Sequence, residues 1–164
     1  RRVLFRSVLP KKLLEEILER NHVVLNEKTV ILESYKRSAT CLETILKHSV
    51  VEDEVSVLSE AEYEKYPLVL PLAECFLEKD IRLTYEEYHA CIGAAENYAK
   101  ANENYQFNLT KIKGFHNIQI TCFEGKWCMI SKNRAPAIHF VIHHPKLRYA
   151  LENMVLPIRD DEIE

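Results

Sequence analysis

Ile118-Gln119-Ile120-Thr121-Cys122-Phe123, then Glu124-Gly125-Lys126, then Trp127-Cys128-Met129-Ile130 is the stretch that decides the fold class. Two β-rich runs flank a short loop with Gly125 at its centre, the pattern of a β-hairpin. Asn133-Arg134-Ala135-Pro136 breaks the run, and Ala137 to His143 reads as a third strand. Pro145 suits the first turn of a closing helix, with Leu147, Leu151, Met154 and Val155 facing inward.

Upstream the chain is helical in pattern with shorter strand signals between. Pro10, Leu13, Leu14, Ile17 and Leu18 recur at helical spacing, so residues 10–21 read as an amphipathic helix. Val23 to Leu25 and Val30 to Leu32 read as two short strands or one irregular strand, and Ser38 as the N-cap of a helix carrying Cys41, Leu42, Ile45 and Leu46. Glu54 to Leu58 is a further short strand, and Ser59 with Glu62 forms a capping box for a helix near residues 60–66. Pro67 and Pro71 bracket an extended Leu68-Val69-Leu70, and residues 72–79 have room for one or two helical turns. Thr84 with Glu87 repeats the capping box and starts the strongest helix, about Tyr85 to Glu103. The expected fold is therefore α/β or α+β: a mixed sheet with a C-terminal hairpin and third strand, flanked by amphipathic helices.

Composition narrows the class without naming an activity. The chain has 164 residues, 47% of them hydrophobic and 29% charged, which fits one globular domain, residues 1–164. A net charge of −3 argues against a nucleic-acid binder that is basic over its whole surface. No run approaches the ~18 apolar residues of a membrane-spanning helix. Five cysteines, an odd number spread through apolar segments, point to a reducing, cytoplasmic setting. The start at Arg1 rather than Met points to an excised fragment of a longer chain, and residues 159–164 read as an acidic tail. Arg1, Arg2, Arg6, Lys11 and Lys12 read as a linker entering the domain.

Histidine and cysteine crowd the last third as His116, Cys122, Cys128, His139, His143 and His144. Zinc is the obvious candidate, but His139 and His143 on one strand lie roughly 13 Å apart at ~3.3 Å per residue, too far to share an ion. Cys122 and Cys128 are equidistant from Gly125, so a hairpin centred there sets their sulfurs opposite one another. No Gly-rich oxyanion segment or nucleophile elbow accompanies any cysteine, and Gly-x-Ser-x-Gly is absent. No cofactor is implied. The carboxylate pairs and runs, Glu52-Asp53-Glu54 among them, read as solvated charge. Tyr85, Tyr88 and Cys91 follow core spacing, yet eight tyrosines and one tryptophan can also line a ligand pocket.

The C-terminal segment Glu124-Gly125-Lys126-Trp127-Cys128-Met129-Ile130-Ser131, a further apolar strand, and then His144-Pro145-Lys146-Leu147-Arg148-Tyr149-Ala150-Leu151 resembles the end of effector domains attached to helix-turn-helix regulators. Such domains include the TrmB-like and degenerate phospholipase-D-like sensors. The likeness spans about a quarter of the chain. Catalytic phospholipase-D-like domains carry His-x-Lys followed by Asp five residues on; here the only His-x-Lys is His144-Pro145-Lys146, and the fifth position beyond Lys146 is Leu151. The resemblance thus implies a non-enzymatic ligand-sensing and dimerisation domain of a cytoplasmic regulator. Its DNA-binding part would lie outside this chain and it would form a homodimer; the residues themselves suggest that the tyrosine helix and the sheet face meet over a small-molecule pocket, with Tyr85, Tyr88, Trp127, His139 and His143 as its lining. A small hydrolytic or metal-dependent Cys/His enzyme and a pure protein-interaction module remain the alternatives.

Overall fold

The computed structural model describes residues 7–65, 67–70, 81–110, 118–132 and 138–160. Helix α1 (Lys11–Arg20) buries Leu14, Ile17 and Leu18, while Lys11 and Lys12 face Glu15 and Glu16 one turn on along its outer side. It ends where Val23 N–H reaches back to the Leu18 carbonyl at 3.1 Å, with His22 in the left-handed region at φ 54°.

The next segment corrects the sequence reading. Val23 to Leu32 does not form strands: helix α2 runs unbroken over Leu25–Leu46, and Ser38 lies in its interior rather than at its start. Ile31, Ser34, Leu42 and Leu46 are its buried positions, and that core-facing stripe outweighs the β preference of isolated valines.

Strand β1 (Val51–Ser56) follows, then helix α3 (Glu60–Lys65), the two-residue strands β2 (Val69–Leu70) and β3 (Ile81–Arg82), helix α4 (Tyr85–Ala101) and strand β4 (Tyr105–Thr110). The capping box at Thr84 forms in full, whereas at Ser59 only the glutamate half forms, because the Glu62 N–H bonds the Ser59 carbonyl and not its hydroxyl. Glu62 accepts from the backbone and hydroxyl of Ser59, while Thr84 Oγ1 accepts from Glu87 N–H and Glu87 accepts from Thr84 N–H. Glu87 also receives both arms of the Arg20 guanidinium at 2.6 and 2.7 Å, and Arg20 bonds the Arg82 carbonyl, so one arginine ties α1 to β3 and α4. β2 and β3 form a small antiparallel sheet of their own, in line with the extended reading of Leu68 to Leu70. The helical turns expected at 72–79 lie outside the described residues.

The hairpin forms as read, from β5 (Gln119–Phe123) and β6 (Trp127–Lys132), with Gly125 at φ +66° in its loop, where a residue without Cβ is at ease. Strand β7 (Ile138–Ile142) and helix α5 (Pro145–Asp160) complete the chain. The main sheet has five strands in the order β4-β1-β5-β6-β7, with β1 parallel to β4 and the other neighbours antiparallel. The fold is α+β. Helix α5 reaches Asp160, so residues 159 and 160 of the expected acidic tail are helical, and 161–164 lie outside the described residues.

Register assigns the two faces. Val51, Asp53, Tyr105, Phe107, Thr121, Phe123, Trp127, Ser131 and His139 share one face, and Cys122, Cys128, Ile120 and Phe140 share the other. The first face joins the large core built from α1, α2, α3 and α4. The second carries a small cluster of Ile120, Cys122 and Cys128 under Leu151 of α5. The sheet is thus the middle layer, and its polar and thiol groups lie on opposite sides of it.

Candidate functional site

Asp53 is the structural surprise of β1. Read from the sequence as solvated charge, it is fully buried, because it falls on the inward parity of Val51-x-Asp53-x-Val55. Tyr105 Oη donates to its Oδ2 at 2.8 Å, Gln119 Nε2 donates to Oδ1 at 2.8 Å, and Thr121 Oγ1 also donates to Oδ1. Burial pushes the carboxyl above the usual carboxylate range, while the three hydrogen bonds pull the other way. Burial of the Tyr105 phenol, and then the Asp53 carboxyl beside it, pushes that phenol well up.

The polar seam continues across the sheet. Gln119 stands opposite Ser131 on β6, and Ser131 stands opposite His139 on β7, with His139 Nδ1 and Ser131 Oγ 2.9 Å apart. A serine within reach of a histidine invites a nucleophilic reading. Ser131 is fully buried beneath the strands around it, so this pair orients and satisfies polar groups rather than offering an oxygen to a substrate.

On the opposite face the expected cysteine pairing is present. Cys122 and Cys128 are register partners, their sulfurs 2.9 Å apart and buried. The Cys128 thiol is lowered, chiefly by its hydrogen bond with Cys122 and further by Arg148, against burial and the charges of Glu152 and Glu52. Cys122 is raised by the same hydrogen bond and by burial. By contrast, Cys91 in α4 is pushed up to about 12 by burial, and Cys41 is exposed. Among the described residues no three His, Cys, Asp or Glu side chains come together to hold a metal ion.

The five expected ligand residues fall in four surroundings. Tyr88 is buried, accepting from Leu58 N–H and donating to the Ser56 carbonyl, and with Tyr85 and Tyr63 it forms an aromatic cluster at the start of α4. Trp127 stacks on Phe123, ring centroids 3.7 Å apart, at the margin of the large core. His139 sits in the polar seam, and His143 is exposed just past the end of β7. The ring contacts of Tyr85 and Tyr88 run to Tyr63 and His89, so packing and backbone hydrogen bonding occupy these tyrosines.

The outer edge of the sheet is the remaining feature with functional content. β7, Ile-His-Phe-Val-Ile, carries no acidic or Lys/Arg side chain and is the last strand of the order. Phe140 is 63% exposed, Val141 50% and Ile138 41%, and Leu147 and Tyr149 of α5 are exposed close by in sequence. Natural edge strands are usually blunted by charge, proline or a bulge. None of these lies within β7. No described helix is long and apolar enough to cross a membrane. No protein-family model, curated protein or solved structure matches the chain, so its function rests on the chemistry of its own residues.

Proposed function

We propose that this chain is a dimerising sensor domain of a cytoplasmic transcriptional regulator, non-enzymatic, with DNA contacted through a segment outside it. The observation that supports the reading is the charge-free edge strand β7. Its sequence is nearly palindromic about Phe140: antiparallel pairing with a second copy around a two-fold axis sets Ile138 against Ile142, Phe140 against Phe140 and His139 against Val141. Such a dimer satisfies the outer backbone groups of β7 and covers apolar side chains that each gain about 1.5–3 kcal/mol from full burial. The five-stranded sheet then continues into its copy.

In such a regulator a ligand acts by favouring one arrangement of the dimer, and it shifts the equilibrium only by its differential affinity for the two arrangements. Light scattering on the purified chain is the direct test. The expected mass is twice 19.2 kDa. Phe140→Lys places a charge at the two-fold position and is expected to give the single-chain mass with an unchanged far-UV circular dichroism spectrum. A wild-type chain that stays monomeric at ~100 µM, a concentration at which even a weak dimer of micromolar Kd assembles, overturns the dimer reading.

A further inference from the structure

We infer that Cys122 and Cys128 are a two-electron redox site that hydrogen peroxide oxidises to a cross-strand disulfide. The geometry is already assembled: the residues are register partners in β5 and β6, and their sulfurs lie 2.9 Å apart. A disulfide needs about 2.03–2.05 Å, so closure asks for a movement of less than about 1 Å. The site is asymmetric in the way the chemistry needs. Cys128 is the thiol shifted toward the thiolate, by the hydrogen bond it shares with Cys122 and by Arg148, while the same hydrogen bond and burial raise Cys122.

Among the described residues, the charged groups around the pair come from β1 and α5. Glu52 is the register partner of Cys122 across β1, and α5 supplies Arg148, Leu151 and Glu152 from the other side. The Cys128 thiol lies 3.9 Å from the Arg148 carbonyl oxygen, and Arg148 Nη1 donates to the Gly125 carbonyl at 2.7 Å, tying α5 to the hairpin loop above the sulfurs. Arg148 Nε and Glu152 Oε1 stand 3.3 Å apart as an ion pair without hydrogen-bond geometry. α5 therefore covers the pair, packing Leu151 on it and tied to the hairpin loop through Arg148, and its local opening admits a molecule as small as peroxide.

The reaction balances. Cys128 thiolate attacks one peroxide oxygen and the O–O bond breaks, giving sulfenic acid on Cys128 and hydroxide, which takes a proton to become water. The Cys122 sulfur then attacks the Cys128 sulfur, the S–O bond breaks, and the hydroxyl leaves as a second water with the thiol proton of Cys122. Two thiols and one peroxide give one disulfide and two waters, and a dithiol reductant restores the starting state.

The exposed Cys41 is an internal standard. The full chain is treated with one equivalent of hydrogen peroxide in the presence of dimedone, then digested without reduction and mapped by mass spectrometry. The expected result is a cross-link between Cys122 and Cys128 forming at least ~10-fold faster than the dimedone adduct of Cys41, and reversed by dithiothreitol. In Cys122→Ser the cross-link is lost and the dimedone adduct moves to Cys128. Oxidation of Cys41 while Cys122 and Cys128 stay thiols overturns the proposal, as does a wild-type adduct that remains on Cys128 without closing. The wild-type map decides by itself if the serine variant does not fold.

Discussion

Asp53 sits fully buried among three donors, and its carboxyl is held above the ordinary carboxylate range by burial. The folded state therefore binds this proton more tightly than the unfolded chain does. Its contribution is fully present below the unfolded carboxylate pKa of about 3.9 and is lost as pH rises through the higher folded value. Denaturant melts from pH 4 upward are expected to show wild-type stability falling relative to Asp53→Asn as pH rises; a constant difference between the two refutes the assignment. Asp53→Ala removes the acceptor for Tyr105, Gln119 and Thr121 together, and at about 1–3 kcal/mol for each donor left unpaired it is expected to cost at least ~3 kcal/mol. The signal for this residue was legible: an acid on the valine parity of a strand is buried if the valines are. It was missed because Glu52 and Glu54 on either side made the three look like one solvated run. The thiol pair needed only symmetric spacing about Gly125. The Ser131–His139 pair was hidden, since its register depends on the connection between β6 and β7.

At the scale of elements, what could be read followed the presence of local signals. α4 was readable from Thr84 and Glu87 because a capping box is written within four residues. α2 carries no such mark: Val24 occupies the N-cap in extended geometry at φ −66° and ψ 153°, and no side chain caps the helix. Its buried stripe of Ile31, Ser34, Leu42 and Leu46 is sparse over 22 residues, so the β-branched residues near its start dominated the reading. Val24 is 60% exposed, and replacing it loses little packing. Val24→Asp supplies an acceptor for the first-turn N–H groups and is expected to raise stability by about 1 kcal/mol, measured by urea unfolding. An unchanged or lowered midpoint shows that the first turn of α2 takes its stability from elsewhere. β4 escaped notice because its partner β1 is parallel and distant, and no turn announces such a pairing.

For the molecule as a whole, the mixed sheet joins one non-local half to one local half. β5, β6 and β7 follow one another as a meander, whereas β1 meets β4 and β5 only across long separations. Hydrogen exchange is expected to divide the same way, slowest in the central β1 and β5 amides and faster toward β7. If β7 pairs with a second copy, its protection rises with protein concentration while that of β1 does not. Concentration-independent exchange in β7 separates an isolated edge from a shared one. The layer order and C-terminal meander were legible in outline, and the parallel strand that completes the sheet came from pairing that only the folded chain displays.

β1 also has a life before it is paired. The donors that meet Asp53 lie 52, 66 and 68 residues further along the chain. During synthesis the strand therefore leaves the ribosome with both edges open and waits while two helices and much of the sheet are still being made. In that interval Glu52-Asp53-Glu54 form a block of negative charge, which repels the same strand on a neighbouring nascent chain and guards against misassembly. The aspartate that ends up deepest in the sheet begins as its sentry, and it gives up that duty only when the tyrosine, glutamine and threonine arrive to enclose it.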